Sequence, residues 1–333
     1  INEHDGEHTV TYRDMRRDEH RDDHRDEHRD GRRSIADAIH LTLAEQLPPT
    51  FRGHPTNFTE PDPLDNGTRQ MIPVASGSPI NHLVTTQTIG VFTTTYLGID
   101  LGNESALPME PADWLTLPEQ RLLSVTAGAV FHDDIGLGRL RSRLAYYPHD
   151  IWLYLLGCGW ARIGQEEHLM GRAGSSGDEI GSALISARLV RDIMRLCFLM
   201  QRTYAPYPKW FGRAFQTLPC APDLLPHLVA ALEASTWESR QQHLIPAYEA
   251  LARLHNALGV TAPMPETVTN FFGRPFQVIA IHGFADALFG QISDAQVKKI
   301  ADRSPIGGID QFSDNTDLLS DRSWRPLLRR LYQ

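Results

Sequence analysis

"YYPHDIWLYLLGCGWARIGQEEHLMGRAGSSGDEIGSALISARLVRDIMRLCFLMQRTYAPYP", residues 146–208, is the stretch from which the fold is read. Pro148 stands where the first turn of a helix would lie, a place suited to a residue without an N–H. Behind it, residues 151–160 are apolar on every side, and a helix without a polar face is buried by its neighbours. The sequence therefore predicts a central helix over about 149–167. The run is far short of the ~18 residues that span a bilayer, so no membrane is expected. "SGDE" at 176–179 fits the Ser-x-x-Glu capping box and predicts a second helix from near 178. That helix runs to about Tyr204, where "APYP" must end it, because a residue before proline is pushed out of the helical region.

The same texture continues towards the C-terminus. "STWE" at 235–238 is a second capping box, and Leu244, Ala247, Tyr248, Leu251, Leu254 and Leu258 form one stripe of the helix it opens, with Gly259 as its C-cap. A short helix near 283–292 and another near 324–332 complete the pattern. Upstream, helical spacing begins in "LPMEPADWLTLPEQRLL", so residues 106–333 read as a helical domain.

Residues 34–105 differ. "IHLTLAEQLPPTFRG" starts with a short β-like alternation and ends in a Pro-Pro turn. "INHLVTTQTIGVFTTTYLG" at 80–98, rich in Thr, Val and Ile, reads as one strand, two strands or a strand leading into a helix. A Pro/Gly/Asn-rich loop over about 53–79 separates them. Residues 1–33 hold eleven acids, eight arginines and five histidines, a composition that buries no surface of its own and reads as a disordered arm or a solvated helix. The expected class is α+β and mostly α, with a small α/β unit followed by a helical bundle.

Composition narrows the function. Hydrophobic residues make up 41% of the 333, enough for a real core. A formal charge of −9 argues against an electrostatic footprint for nucleic acid. Cys158, Cys197 and Cys220 are too few and too widely spaced for a disulfide framework or a CxxC metal site, so they read as core thiols of a cytoplasmic protein. Ile1 is preceded by no basic-then-apolar leader, which reads as a chain without a signal peptide, and the missing Met as a fragment or a processed start.

Three stretches could carry chemistry. "GRAGSSGDEIG" at 171–181 is a Gly-rich loop before a helix, the geometry that cradles phosphate, although Asp178 and Glu179 would repel an anion there. Arg188, Arg191, Arg195 and Arg202, spaced three, four and seven apart, lie roughly on one helix face, with Lys209 just beyond. Such a face can hold a phosphorylated ligand while Tyr207 and Trp210 stack on a flat one. Equally, the arginines can pair with Glu166, Glu167 and Asp192 and tie helices together. His132, Asp133 and Asp134 in "FHDD", and the doublet in "PHD" at 148–150, are what a helical His-Asp metal-dependent phosphohydrolase would use. Neither a Gly-x-Ser-x-Gly elbow nor a His-Glu-x-x-His motif occurs.

Within "AGAVFHDD", "YYPHDIWLYLL", "RIGQEE" and "YAPYPKWFG" the chain resembles the bacterial family catalogued as domain of unknown function 4037, whose members are described as nucleotidyltransferase-like. The resemblance runs from about residue 39 to the C-terminus. It implies a nucleotidyltransferase-type α/β unit, here incomplete, ahead of a helical domain. It also implies Mg²⁺ with ATP or another nucleoside triphosphate, and transfer of a nucleotidyl group to a small or protein acceptor, with Arg188, Arg191 and Lys209 holding phosphate or acceptor. In such enzymes a Gly-Ser turn opens the site and an Asp-x-Asp pair on the next strand holds the metal.

Where that pair is expected, this chain has "RDEHRDDHRDEHRDG" at 17–31. Asp26 and Asp30 are the nearest metal-ligand candidates, but they are four apart, too far to mimic an i, i+2 pair on a strand. The alternative expectation is a non-catalytic relative that binds a nucleotide or a protein partner through the arginine face.

Overall fold

The computed structural model describes residues 34–65, 67–102, 109–303 and 305–333. Among them the protein is a mixed α+β structure, mostly helical, whose β component consists of three two-stranded antiparallel ladders. The chain divides between Phe92 and Thr93, whereas composition changes near residue 105.

In the first unit, helix α1 (Ile35–Gln46) occupies the stretch expected to alternate like a strand. Ser34 overrides that pattern. Its hydroxyl accepts from the Asp37 N–H at 3.1 Å, and the Asp37 carboxylate accepts from the Ser34 N–H at 3.1 Å, a capping box that starts a helix. Strands β1 (Thr50–Phe51) and β2 (His54–Pro55) form a hairpin around Arg52 and Gly53, both with positive φ (50° and 81°). That backbone matches strand twist and favours glycine at its second position. Strands β3 (Asn57–Phe58) and β4 (Met71–Ile72) pair with Asn57 opposite Ile72, so the expected loop over 53–79 contains three strands.

No strand forms at 80–98 among the described residues. Residues 80–88 take no regular structure, and helix α2 (Ile89–Leu97) follows, its Val91 N–H donating to the Thr88 hydroxyl at 3.2 Å. Of the expected strand leading into a helix only the helix forms, with Thr serving as a local hydrogen-bonding residue at its start.

The second unit begins with helices α3 (Pro111–Thr116), α4 (Glu119–Thr126) and α5 (Leu137–Arg143). They lead to a long hairpin of α6 (His149–Ser175) and α7 (Glu179–Met200), the centre of the unit. All of residues 151–160 in α6 are buried, as their all-apolar pattern requires. Glycines permit the close packing: a Cβ at Gly159 would lie 2.9 Å from Leu196 of α7. Helices α8 (Pro208–Phe215), α9 (Ala221–Glu233) and α10 (Trp237–Ala257) pack around the hairpin.

Two capping assignments shift by a residue or two. Asp178, not Ser176, caps α7 and accepts from the Gly181 N–H at 2.7 Å, while Thr236, not Ser235, caps α10. Strands β5 (Thr269–Asn270) and β6 (Gln277–Val278) form the third ladder. Helices α11 (Phe284–Phe289), α12 (Ala295–Ala301), α13 (Ile309–Phe312), α14 (Thr316–Ser320) and α15 (Arg325–Leu328) close the chain, with short 3-10 turns before α11, between α14 and α15 and after α15. Phe284 of α11 stacks on Trp160 of α6 with ring centroids 4.1 Å apart.

Candidate functional site

The arginines spaced along α7 do not share one ligand face. Arg188 donates from Nε to Glu166 at 2.8 Å, and Arg162 meets the other Glu166 oxygen at 3.1 Å. Arg191 reaches Asp314 at 2.6 Å and Asp192 at 3.3 Å. Arg195 turns elsewhere. Its guanidinium lies 5.4 Å from the Phe211 ring and favours the ionised forms of Glu119 and Asp310. The carboxylates fixing this face come from α6, from α7 itself and, in Asp314, from the segment after α13, so the arginines tie elements together.

Glu167 pairs with no arginine among the described residues. Its carboxylate accepts the main-chain N–H of Ile279 at 2.8 Å and of Ala280 at 3.2 Å. Burial pushes its pKa up to about 7, against the lowering effect of these amides. Tyr207, Lys209 and Trp210 stand at the start of α8, away from Arg188 and Arg191 in the chain. Lys209 Nζ lies 5.3 Å and the Arg213 guanidinium 6.0 Å from the Trp210 ring, a cation-π group at the surface.

The Gly-rich stretch is not a phosphate loop. Gly171 and Gly174 lie inside α6, where a Cβ would collide with Phe276 and Trp237 respectively. The Glu179 carboxylate accepts from the Trp237 N–H at 3.2 Å and meets Arg240 at 2.5 Å, so it serves a neighbouring helix start.

The His-Asp doublets are likewise occupied. The Asp133 carboxylate accepts from the N–H groups of Gly138 (2.7 Å), Gly136 (2.8 Å) and Leu137 (2.9 Å), and these bonds hold its pKa below the usual range. His132 meets Asp134 at 2.7 Å on the exposed surface. Asp150 accepts from the backbone N–H and hydroxyl of Ser293, at 2.8 and 2.9 Å. Among the described residues no group of three or more His, Cys, Asp or Glu side chains could hold a metal ion. Asp26, Asp30 and the repeat around them lie outside the described residues. The carboxylates nearest to the Asp-x-Asp pair that the resemblance implies for Mg²⁺ therefore lie outside the described residues.

One arginine of the series has a different setting. Arg202 follows the end of α7 with φ 48°, the left-handed position that usually takes glycine. The Thr203 N–H returns to the Phe198 carbonyl at 3.0 Å and the Arg202 N–H to Leu199 at 3.1 Å, closing the helix end. The Arg202 guanidinium lies 3.9 Å from the Trp152 ring centroid and meets no carboxylate among the described residues. Beside it an open groove of about 530 Å³ has Leu123, Val130 and Ala145 as apolar lining, with Arg141, Arg202, Thr126, Ser142, Thr203 and Tyr204 as its polar groups. Arg141 spends one nitrogen on the carbonyls of Thr126, Ala127 and Gly128, capping α4. Its other two nitrogens take no partner among the described residues.

Behind Tyr204 the buried Glu119 meets the half-buried Asp310. The Glu119 N–H donates to Asp310 at 2.9 Å, and the Ala205 N–H donates to the Glu119 carboxylate at 2.6 Å. Burial, reinforced by Asp310, pushes the Glu119 pKa up to about 8 although Arg195 pulls it down. The Tyr146, Tyr147 and Tyr204 rings cluster against it, with centroids 5.1 to 5.2 Å apart. Sequence reasoning missed Arg141, Glu119 and Asp310. The signal for Arg202 was present: a helix that ends without glycine needs another residue in the left-handed position.

Fold and site together define a mostly helical α+β protein with an arginine-bearing groove at the end of its central hairpin. The segment 114–211 matches the family described as Domain of unknown function (DUF4037), a narrower match than a resemblance from residue 39, and it contains every residue that lines the groove. No curated protein and no solved structure matches the chain. Among the described residues, no helix is long and apolar enough to cross a membrane.

Proposed function

We propose that the protein binds a nucleoside phosphate or a similarly anionic small molecule in the Arg141/Arg202 groove, as the ligand-holding part of a nucleotidyltransferase-like protein of the cytoplasm. The observation that carries this reading is Arg202. A side chain in a strained backbone position, stacked on an aromatic ring and unmatched by an acid among the described residues, is a cation held ready for an external anion. In Arg188 and Arg191 the same chemistry is consumed by Glu166, Asp192 and Asp314. The non-catalytic alternative is favoured over nucleotidyl transfer for the described residues, because the acids near the groove are buried or engaged by backbone amides. A triphosphate would bring its own Mg²⁺.

Isothermal titration with ATP, AMP and inorganic phosphate, with and without Mg²⁺, tests the reading. Saturable binding that does not require Mg²⁺ and weakens about tenfold in Arg202→Ala is expected, the loss of one charge-assisted hydrogen bond. Binding unaffected by Arg202→Ala and Arg141→Ala, or no binding at all, would overturn it.

A further inference from the structure

Towards the C-terminal end of α6, a second group of cations stands without acids. His168 stacks on Phe271, the residue after β5, with ring centroids 4.2 Å apart and planes 14° from parallel. Arg172 follows His168 by one helical turn, so it rises from the same face of α6. From the turn between β5 and β6, the Arg274 guanidinium lies 5.7 Å from the Phe271 centroid. Both arginines are exposed, and neither meets a carboxylate among the described residues. The His168 Nδ1 is buried without a hydrogen-bond partner there. By contrast, Arg188, Arg191 and Arg240 are each matched by an acid.

The turn that carries this group is strained. Phe272 has φ 47° and ψ 48°, the left-handed region, and Gly273 follows with φ 75°. The Phe271 N–H donates to the Phe276 carbonyl at 2.8 Å and the Arg274 N–H to the Phe271 carbonyl at 3.0 Å, which closes the turn. A phenylalanine is disfavoured in that backbone, and its ring is 74% exposed, so packing within the chain does not offset the strain. The ring stands 4.8 Å from that of Phe271, at 71° to it. Strain of this kind is held at ligand clamps. We propose that Arg172, Arg274 and Phe272 form a second anion site, for a phosphate monoester carried on a flat ring, at the other end of α6 from Trp152 and the groove. Two guanidiniums match the double charge of such a phosphate, and the exposed face of Phe272 stacks on the ring.

His168 reports on the site. Burial depresses its pKa, and the charges of Arg172 and Arg274 depress it further. An anion held by those guanidiniums offsets their charge and favours the imidazolium, so it raises that pKa.

The site rests on nothing in the groove, and the test keeps the two apart. The whole chain, with carbon-13-labelled histidine, is titrated with acid in an NMR tube alone, with AMP and with inorganic phosphate, and His168→Gln assigns the signal. A rise in the His168 pKa is expected, larger with AMP than with phosphate at equal concentration. Arg172→Ala and Arg274→Ala should each weaken AMP about tenfold at this site, the loss of one charge-assisted hydrogen bond. Phe272→Gly suits the left-handed backbone and removes the ring, and should reduce the response to AMP to that of phosphate. All three side chains are exposed, so these substitutions spare the core. A His168 pKa that neither anion moves, a response unchanged in Arg172→Ala and Arg274→Ala, or AMP and phosphate that act alike would each overturn the proposal. The double variant Arg141→Ala, Arg202→Ala removes the cations of the groove and should keep the His168 response. Nucleotide binding that vanishes with the double variant while His168 never responds supports the groove and overturns the second site.

Discussion

Glu119 donates its main-chain N–H to the Asp310 carboxylate at 2.9 Å, across 191 residues of chain, and its own carboxylate accepts the Ala205 N–H at 2.6 Å. One glutamate therefore joins the start of α4, the start of α13 and the segment after Arg202. The residue next to Ala205 is Tyr204, which lines the groove, so the charge state of a buried acid acts on backbone beside the candidate ligand.

That arrangement sets a pH dependence. Glu119 has its pKa raised from 4.5 to about 8, chiefly by burial, and Glu167 from 4.5 to about 7, also by burial. Above pH 4.5 these two groups release protons in the unfolded chain that they keep in the folded one, so their contribution to stability is complete below that point and is lost as pH rises through 7 to 8. Urea unfolding from about pH 5 to pH 8 should show the midpoint falling, and Glu119→Gln should make the fall shallower by on the order of 2 kcal/mol. A slope unchanged in Glu119→Gln would show that the acid pair titrates normally.

Glu167 is a structural acceptor, and its substitution should say so. Glu167→Ala leaves the Ile279 and Ala280 N–H groups without an acceptor and is expected to cost about 3 kcal/mol. Glu167→Gln keeps a carbonyl oxygen facing those amides and should cost about 1 kcal/mol. Chemical denaturation of both variants at about pH 6 measures the difference.

The bundle was legible because its signals are long: the apolar run at 151–160, "APYP" and the stripe from Leu244 to Leu251 each constrain many residues. The first unit was less so. In "SIADAIHLTL" a four-residue cap outweighed an alternation of similar length, and the Thr-rich stretch near 90 is helical despite its β-branched residues. The site was legible only in part. Arginine spacing locates a face of α7 but not the acids opposite it, since Asp314 and Asp310 arrive from over a hundred residues away.

Arg202 combines an unfavourable backbone with a favourable stack, and two variants separate them. Arg202→Gly relieves a left-handed position that costs about 1 kcal/mol and loses a cation-π contact worth about 1 kcal/mol, so stability should change little. Arg202→Ala loses the stack and keeps the strain, and should unfold about 1 kcal/mol more easily. Both should weaken ATP binding by about tenfold. Thermal melting together with titration distinguishes a residue retained for its charge from one retained for the fold.

Glycines in the helices should respond in opposite directions. Gly174 lies in α6 where an added Cβ would overlap the Cβ and ring of Trp237, close to that residue's own backbone, so rotation of the ring cannot make room. Gly174→Ala is therefore expected to cost about 3 kcal/mol by forcing α6 and α10 apart. Gly212 lies in α8 with nothing within 4 Å of the position a Cβ would take. Gly212→Ala should stabilise by about 1 kcal/mol, the difference in helix propensity alone. The pair shares one chemical change, so urea midpoints that moved together would show that α6 and α10 do not meet as closely as Gly174 requires.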